Sequence, residues 1–212
     1  MYKLMNNLIQ ENTMDLLVIR HGQSEADILK VMEGRANFNL TELGHKQAEI
    51  MAKWVIENYT INKLYSSTLN RAKQTAEYIS KLSGIEISYE DDLMEYNNGL
   101  IAGLKREEAN AKYPDINKFP HTKIYEQESY IEFRMRAETI LSKIIHENGE
   151  NDVIVIVSHG WMINMLFRSF MELSINSKHT IGNSDTGIHY WRIKKGDRQI
   201  IYSNKNEHIK NI

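Results

Sequence analysis

Leu16-Leu17-Val18-Ile19-Arg20-His21-Gly22-Gln23-Ser24 carries four apolar residues straight into an arginine, a histidine and a glycine. A short, unbroken apolar run is the pattern of a strand buried on both faces, which is what parallel sheets covered by helices contain. Ligands of such sheets bind beyond the carboxyl ends of the strands, where this run presents its cation and imidazole. The second half of the chain repeats the device, with Val153-Ile154-Val155-Ile156-Val157 leading into Ser158-His159-Gly160. If the two strands are parallel neighbours, both histidines lie at one sheet edge.

Outward from the first strand, Ser24 suits the cap of a short helix to about Lys30, and Glu25 suits its positive end. A turn at Gly34 precedes a longer helix from Thr41 to about Asn58, with Leu43, Ala48, Met51, Ala52 and Val55 near one face. Residues 63–66 read as a second strand. A helix starting near Ser67 or Thr68 and running to Leu82 places Arg71 in its first turn, and Gly84 stops it. Residues 85–89 read as a third strand, and 91–103 as a polar loop carrying Glu95.

Residues 105–112 form a short helix before Pro114, and 115–127 is irregular, with Pro120 inside it. A helix over 128–146, the strand 152–157 and a helix from Trp161 to Met171 follow. The tail, 187–193 and 199–202 around Gly196-Asp197, reads as a hairpin. The fold expected is α/β, a three-layer sandwich with a mainly parallel sheet, an antiparallel edge and helices on both faces.

The 212 residues, 42% hydrophobic and 25% charged, suffice for one domain, expected over 14–204 with a lid or insertion around 95–127. Residues 1–13 read as an extension or docking strap and 205–212 as a polar tail. A net charge of -2 gives no global attraction to nucleic acid or to an anionic membrane. No run is long and apolar enough to span a bilayer, and the first dozen residues lack a signal-peptide core, which points to the cytoplasm. The absence of cysteine excludes thiolate nucleophiles and thiolate metal sites.

Arg20, His21 and His159 at strand ends, with Arg71 added from a helix start, make a cationic pocket suited to a phosphoryl dianion. The N-termini of the helices near Ser24 and Trp161 reinforce it. Each residue alone has a plainer reading, such as a surface ion pair for Arg20-His21 or an ordinary helix arginine for Arg71. His45, His121, His146, His179, His189 and His208 read as surface or packing residues without zinc-motif spacing. Arg136 reads as a helix salt-bridge residue, and Lys105-Arg106-Glu107-Glu108 as a solvated face. There is no Walker loop, Gly-x-Ser-x-Gly elbow or His-Glu-x-x-His.

Arg20-His21-Gly22-Gln23-Ser24-Glu25 is followed by Gly34-Arg35 and by Leu40-Thr41-Glu42-Leu43-Gly44. Tyr65-Ser66-Ser67-Thr68-Leu69-Asn70-Arg71-Ala72, Leu93-Met94-Glu95 and Val157-Ser158-His159-Gly160 complete the order. This succession resembles the histidine phosphatase (phosphoglycerate mutase-like) superfamily from residue 15 to about 192.

The resemblance implies that His21 attacks phosphorus as a neutral imidazole, that Arg20, Arg71 and His159 hold the phosphoryl oxygens, and that Glu95 is the proton donor. Ser24, Asp27, Gly34, Gly160 and Trp161 are then expected to line the phosphate and substrate site. No cofactor and no metal are implied. Many members carry Trp-Asn where this chain has Ala26-Asp27, so Asp27 is expected to be protonated, turned toward Arg35 or engaged in substrate selection. Trp161 is expected to wall the pocket.

The phosphatase branch fits best, because Tyr96-Asn97-Asn98-Gly99 follows Glu95 where mutases resemble one another in an Arg-His-Tyr-Gly continuation and a longer basic insert. A cofactor-dependent phosphoglycerate mutase and an inactive binding or scaffold protein are the alternatives. The partner expected is a small phosphorylated metabolite, with Lys118, His121, Lys123 and Tyr125 as contacts on the insert. The C-terminal hairpin offers an edge strand for a homodimer.

Overall fold

A computed structural model of the chain describes residues 12–114, 119–210 and 212. One mixed sheet of six strands organises them, in the order β3-β2-β4-β1-β5-β6. Its strands are β1 (Thr13–Arg20), β2 (Lys63–Ser67), β3 (Ile87–Glu90), β4 (Val153–Ser158), β5 (Ile188–Lys194) and β6 (Asp197–Lys205). β1, β2, β3 and β4 are mutually parallel, while β5 and β6 add antiparallel pairings at one side. The α/β sandwich read from the sequence is therefore the fold, and β6 is left as an edge strand.

The helices are α1 (Glu25–Leu29), α2 (Glu42–Asn58), α3 (Asn70–Ser83), α4 (Arg106–Lys112), α5 (Tyr130–Glu147) and α6 (Gly160–Phe170). Successive β1 side chains point to opposite faces, so Leu16 and Val18 join Phe133, Ile140 and Leu166 of α5 and α6. Leu17 and Ile19 join Met51, Val55, Ala76 and Ile79 of α2 and α3 on the other face. All four β1 residues are fully buried, which is why the run has no polar member. Removing one such side chain to alanine costs roughly 2–5 kcal/mol.

The β1/β4 register pairs Ile19 with Val157 and Arg20 with Ser158, so the next residues, His21 and His159, leave adjacent strands side by side. β2 lies against β4, and α3 begins just after it, bringing Arg71 to the same edge. The turn after β1 needs glycine for space: a Cβ on Gly22 would lie 2.6 Å from the carbonyl oxygen of Gly44.

β3 starts two residues later than the expected strand over 85–89. The Ser80 hydroxyl donates to the Ile85 carbonyl at 2.6 Å and the Ser83 hydroxyl accepts its N–H at 3.1 Å, so serines, not a neighbouring strand, satisfy that residue. Thr13, placed in the N-terminal extension from sequence, opens β1; residues 1–11 of that extension lie outside the described residues. The tail packs down, with His208 stacked on Trp54 of α2. Among the described residues, no helix is long and apolar enough to cross a membrane.

Candidate active site

His21 is fully buried at the end of β1. Its Nδ1 lies 2.7 Å from the carbonyl oxygen of Gly22, an acceptor only, so Nδ1 carries the proton and Nε2 keeps its lone pair. Arg71 Nε donates toward that Nε2 at 3.2 Å. Burial, reinforced by the positive charges of Arg71 and Arg20, holds the His21 imidazole well below the usual histidine range.

Arg71 is locked from behind. Its Nη1 donates to the Ala36 carbonyl at 3.0 Å and its Nη2 to the Gly34 carbonyl at 2.8 Å. Gly34, at φ +48°, turns there with Asn98 packed so close that a Cβ would fall 1.6 Å from its Oδ1. Gly34 thus meets Arg71 through its carbonyl.

His159 is the cap residue of α6, and its ring centroid lies 5.0 Å from that of His21. The Ser67 hydroxyl, which accepts the Leu69 N–H, lies 2.8 Å from His159 Nε2 and is free to donate to it. The His159 Nδ1 is buried without a hydrogen-bond partner. Arg20 donates through Nη1 to the Asn183 carbonyl at 2.8 Å and pairs with Asp185 at 3.4 Å, but its Nε is likewise buried and unpartnered. Unpartnered buried nitrogens of Arg20 and His159 on both sides of His21 mark a place for an anion.

Glu95 reaches the same edge from the loop after β3. Its Oε1 accepts the N–H groups of Tyr96 at 2.9 Å and Met162 at 3.0 Å, and its Oε2 that of Trp161 at 3.1 Å. Burial pushes the carboxyl above its ordinary range, opposed by these backbone donors. Arg136 ties the loop down: Nη1 donates to the carbonyls of Asp92 and Met94 at 2.8 and 2.7 Å, and Nη2 to those of Glu95 at 3.1 Å and to Glu128 Oε1 at 2.7 Å. Sequence alone offers Arg136 only as a salt-bridge residue, since the carbonyls it gathers belong to a loop far away in the chain.

The structure thus brings Arg20, His21, Arg71, Glu95 and His159 to one edge, with other expected residues placed around them. Asp27 is not turned toward Arg35. Its Oδ2 accepts the backbone N–H of Ser24 at 2.8 Å and lies 3.3 Å from the Ser24 hydroxyl oxygen, the local arrangement of a capping box at the start of α1. Arg35 lies instead 3.7 Å from Glu128 and donates to the Glu95 carbonyl at 3.4 Å.

Gly160 opens α6, and its carbonyl accepts from Asn164 and Asn183. Trp161 is 64% exposed and, with Tyr130, Met165, Arg168 and Lys178, lines a cavity of about 550 Å³. On the insert, Lys123 pairs with Glu132 and Tyr125 donates to the Pro114 carbonyl; Lys118 lies outside the described residues.

One side chain at the centre had no motif to announce it. Glu33 lies with Oε2 3.8 Å from His21 Nε2 and Oε1 3.6 Å from Arg71 Nε, and Oε1 accepts the Ser24 hydroxyl. In sequence it is a lone carboxylate before a glycine turn.

Residues 16–206 match the family model described as histidine phosphatase superfamily (branch 1). Phosphoserine phosphatase 1 of Hydrogenobacter thermophilus is 26% identical over 172 residues, which span 79% of this chain and 81% of that protein. The probable phosphoglycerate mutase GpmB of Photorhabdus laumondii is 28% identical over 177 residues, 79% of this chain and 80% of its own. Among solved structures, phosphoserine phosphatase from Entamoeba histolytica in complex with 3-phosphoglyceric acid superposes with a TM-score of 0.75 at 28% identity, covering 92% of this chain and 98% of that one.

Proposed function

From the premise that this chain belongs to the histidine phosphatase superfamily, branch 1, we propose that it hydrolyses a small phosphomonoester through a phosphohistidine on His21, without a metal ion. The observation that carries the reading is the His21 ring itself. Its proton is fixed on Nδ1 by Gly22, and the unprotonated Nε2 faces a cluster of guanidinium and imidazole donors.

In the first step Nε2 forms a bond to phosphorus as the ester P–O bond breaks, and Glu95 gives its proton to the departing alkoxide. In the second, Glu95 takes a proton from water, the water oxygen attacks phosphorus, and the P–N bond breaks to release inorganic phosphate and restore the imidazole. Arg20, Arg71 and the imidazole of His159 receive the charge that spreads over the phosphoryl oxygens, the task that metal ions perform in other phosphoryl-transfer sites.

The relatives include proteins named as phosphoserine phosphatases and one named as a probable phosphoglycerate mutase, and the proposed substrate is of that size and charge. The test is turnover of a panel of sugar phosphates, phosphoglycerates, phosphoserine and nucleotides in EDTA, with radiolabelled substrate to trap the phosphoenzyme. Phosphate release in EDTA, with label on the wild type and none on His21→Ala, is expected. Metal-dependent turnover, or interconversion of phosphoglycerates outrunning phosphate release, would sink the reading.

A further inference from the structure

Glu33 places a carboxylate where an anionic substrate has to go. Its backbone has little freedom to move away. The Met32 N–H donates to Leu104 at 2.8 Å and the Met32 carbonyl accepts from Gly103 at 2.8 Å. The Glu33 carbonyl takes the Ala36 N–H at 2.9 Å, and the next carbonyl, that of Gly34, is held by Arg71. The side chain between these anchors has its carboxylate in the pocket, with only 17% of the side chain exposed.

Both of its oxygens face groups assigned above to phosphate. Oε2 stands 3.8 Å from the attacking nitrogen of His21, and Oε1 stands 3.6 Å from Arg71 Nε and accepts from Ser24. A phosphorus poised for attack sits roughly 3–3.5 Å from the nucleophile, so its oxygens need the space the carboxylate fills. A carboxylate and a phosphoryl dianion side by side repel, and in a partly buried pocket that repulsion is only weakly screened.

We propose that Glu33 is a specificity-determining residue: a resident anion that every phosphate must displace from His21 and Arg71. The inference rests on the reading of the His21 pocket as the phosphoryl site. Bare inorganic phosphate brings only the phosphoryl group to compete with Glu33 and is held weakly. A phosphomonoester whose leaving group makes contacts beyond the phosphoryl site offsets the displacement with those contacts and is selected. The same device speeds release of the phosphate product, since Glu33 returns to the groups that held it.

The experiment measures competitive inhibition by inorganic phosphate, and separately by orthovanadate, of p-nitrophenyl phosphate hydrolysis by the wild type, Glu33→Gln and Glu33→Ala. The amide of Glu33→Gln is nearly isosteric and still offers Ser24 an acceptor, while Glu33→Ala empties the space. Inhibition constants for phosphate falling at least tenfold in both variants are the expected result. That is a gain of affinity which a carboxylate with a purely structural role does not give when removed. Constants that are unchanged or raised in both, with turnover retained, overturn the role of Glu33 and leave the phosphohistidine reading standing. A wild-type protein that neither turns over any phosphomonoester nor binds phosphate overturns both.

Discussion

Glu95 accepts the backbone N–H of Trp161 at 3.1 Å, so the proposed proton donor is seated on the first turn of the helix that His159 caps. The two groups are thereby held in one frame: any shift of α6 moves the proposed acid and the proposed phosphate-binding imidazole together. Burial of the carboxyl raises its affinity for a proton, as a general acid requires.

Replacing Glu95 with Gln keeps the shape and removes the proton. With an alkyl phosphate, whose leaving alkoxide is strongly basic, kcat is expected to fall about 10²–10⁴-fold. With p-nitrophenyl phosphate, whose leaving group needs no proton, the loss is expected to be much smaller. Equal losses on both substrates would exclude Glu95 as the acid.

The pH profile of kcat/KM follows from the two shifted groups. In the proposed mechanism His21 acts unprotonated and its affinity for a proton is depressed, so activity is expected to rise with pH through a value well below the ordinary histidine range. In that mechanism Glu95 acts protonated and its value is raised, so activity is expected to fall as pH rises through it. The descending limb belongs to Glu95 and is expected to vanish in Glu95→Gln, while the ascending limb stays. A descending limb that survives the substitution assigns it to another group.

Arg136 gathers three loop carbonyls and the Glu128 carboxylate with one planar fork. Arg136→Ala leaves these groups without their charged donor, and an unfolding loss of roughly 3 kcal/mol is expected. Loosening the Glu95 loop admits water to the carboxyl, so the descending limb of the pH profile is expected to move to lower pH in both Arg136→Ala and Arg136→Lys. A limb that stays in place with only stability lost would make Arg136 a structural residue alone.

The sheet is legible because two short all-apolar runs fit strands buried on both faces, and the parallel pairing found in the structure sets His21 beside His159. Arg71 is legible through its place in the first turn of the helix that follows β2. Glu33 and Arg136 are not, because their significance lies in contacts across long sequence separations: Glu33 with Arg71, and Arg136 with the loop before Glu95. The place of Asp27, turned away from Arg35, follows from the opposite reason. A carboxylate three residues after a capping serine has a local use, and the chain spends it there.

His189 on β5 gives a stability prediction independent of catalysis. Its Nδ1 accepts the Asn204 N–H at 3.2 Å and its Nε2 donates to Asn183 Oδ1 at 2.9 Å, an arrangement that only the neutral ring satisfies. Burial lowers its pKa to about 4, against about 6.5 in the unfolded chain. The unfolded chain therefore takes up the proton first, so the contribution of His189 is complete above about pH 6.5 and drains away as pH falls toward 4. The difference amounts to roughly 3 kcal/mol over that window. His21 and His159, also depressed, act in the same direction, so the test isolates His189 by difference. Urea unfolding of the wild type and of His189→Gln is expected to show a stability gap that is largest near neutrality and shrinks steadily below pH 6.5, because the variant has no ring to protonate. A gap that stays constant across the window would mean that the buried ring is not what couples this fold to acid.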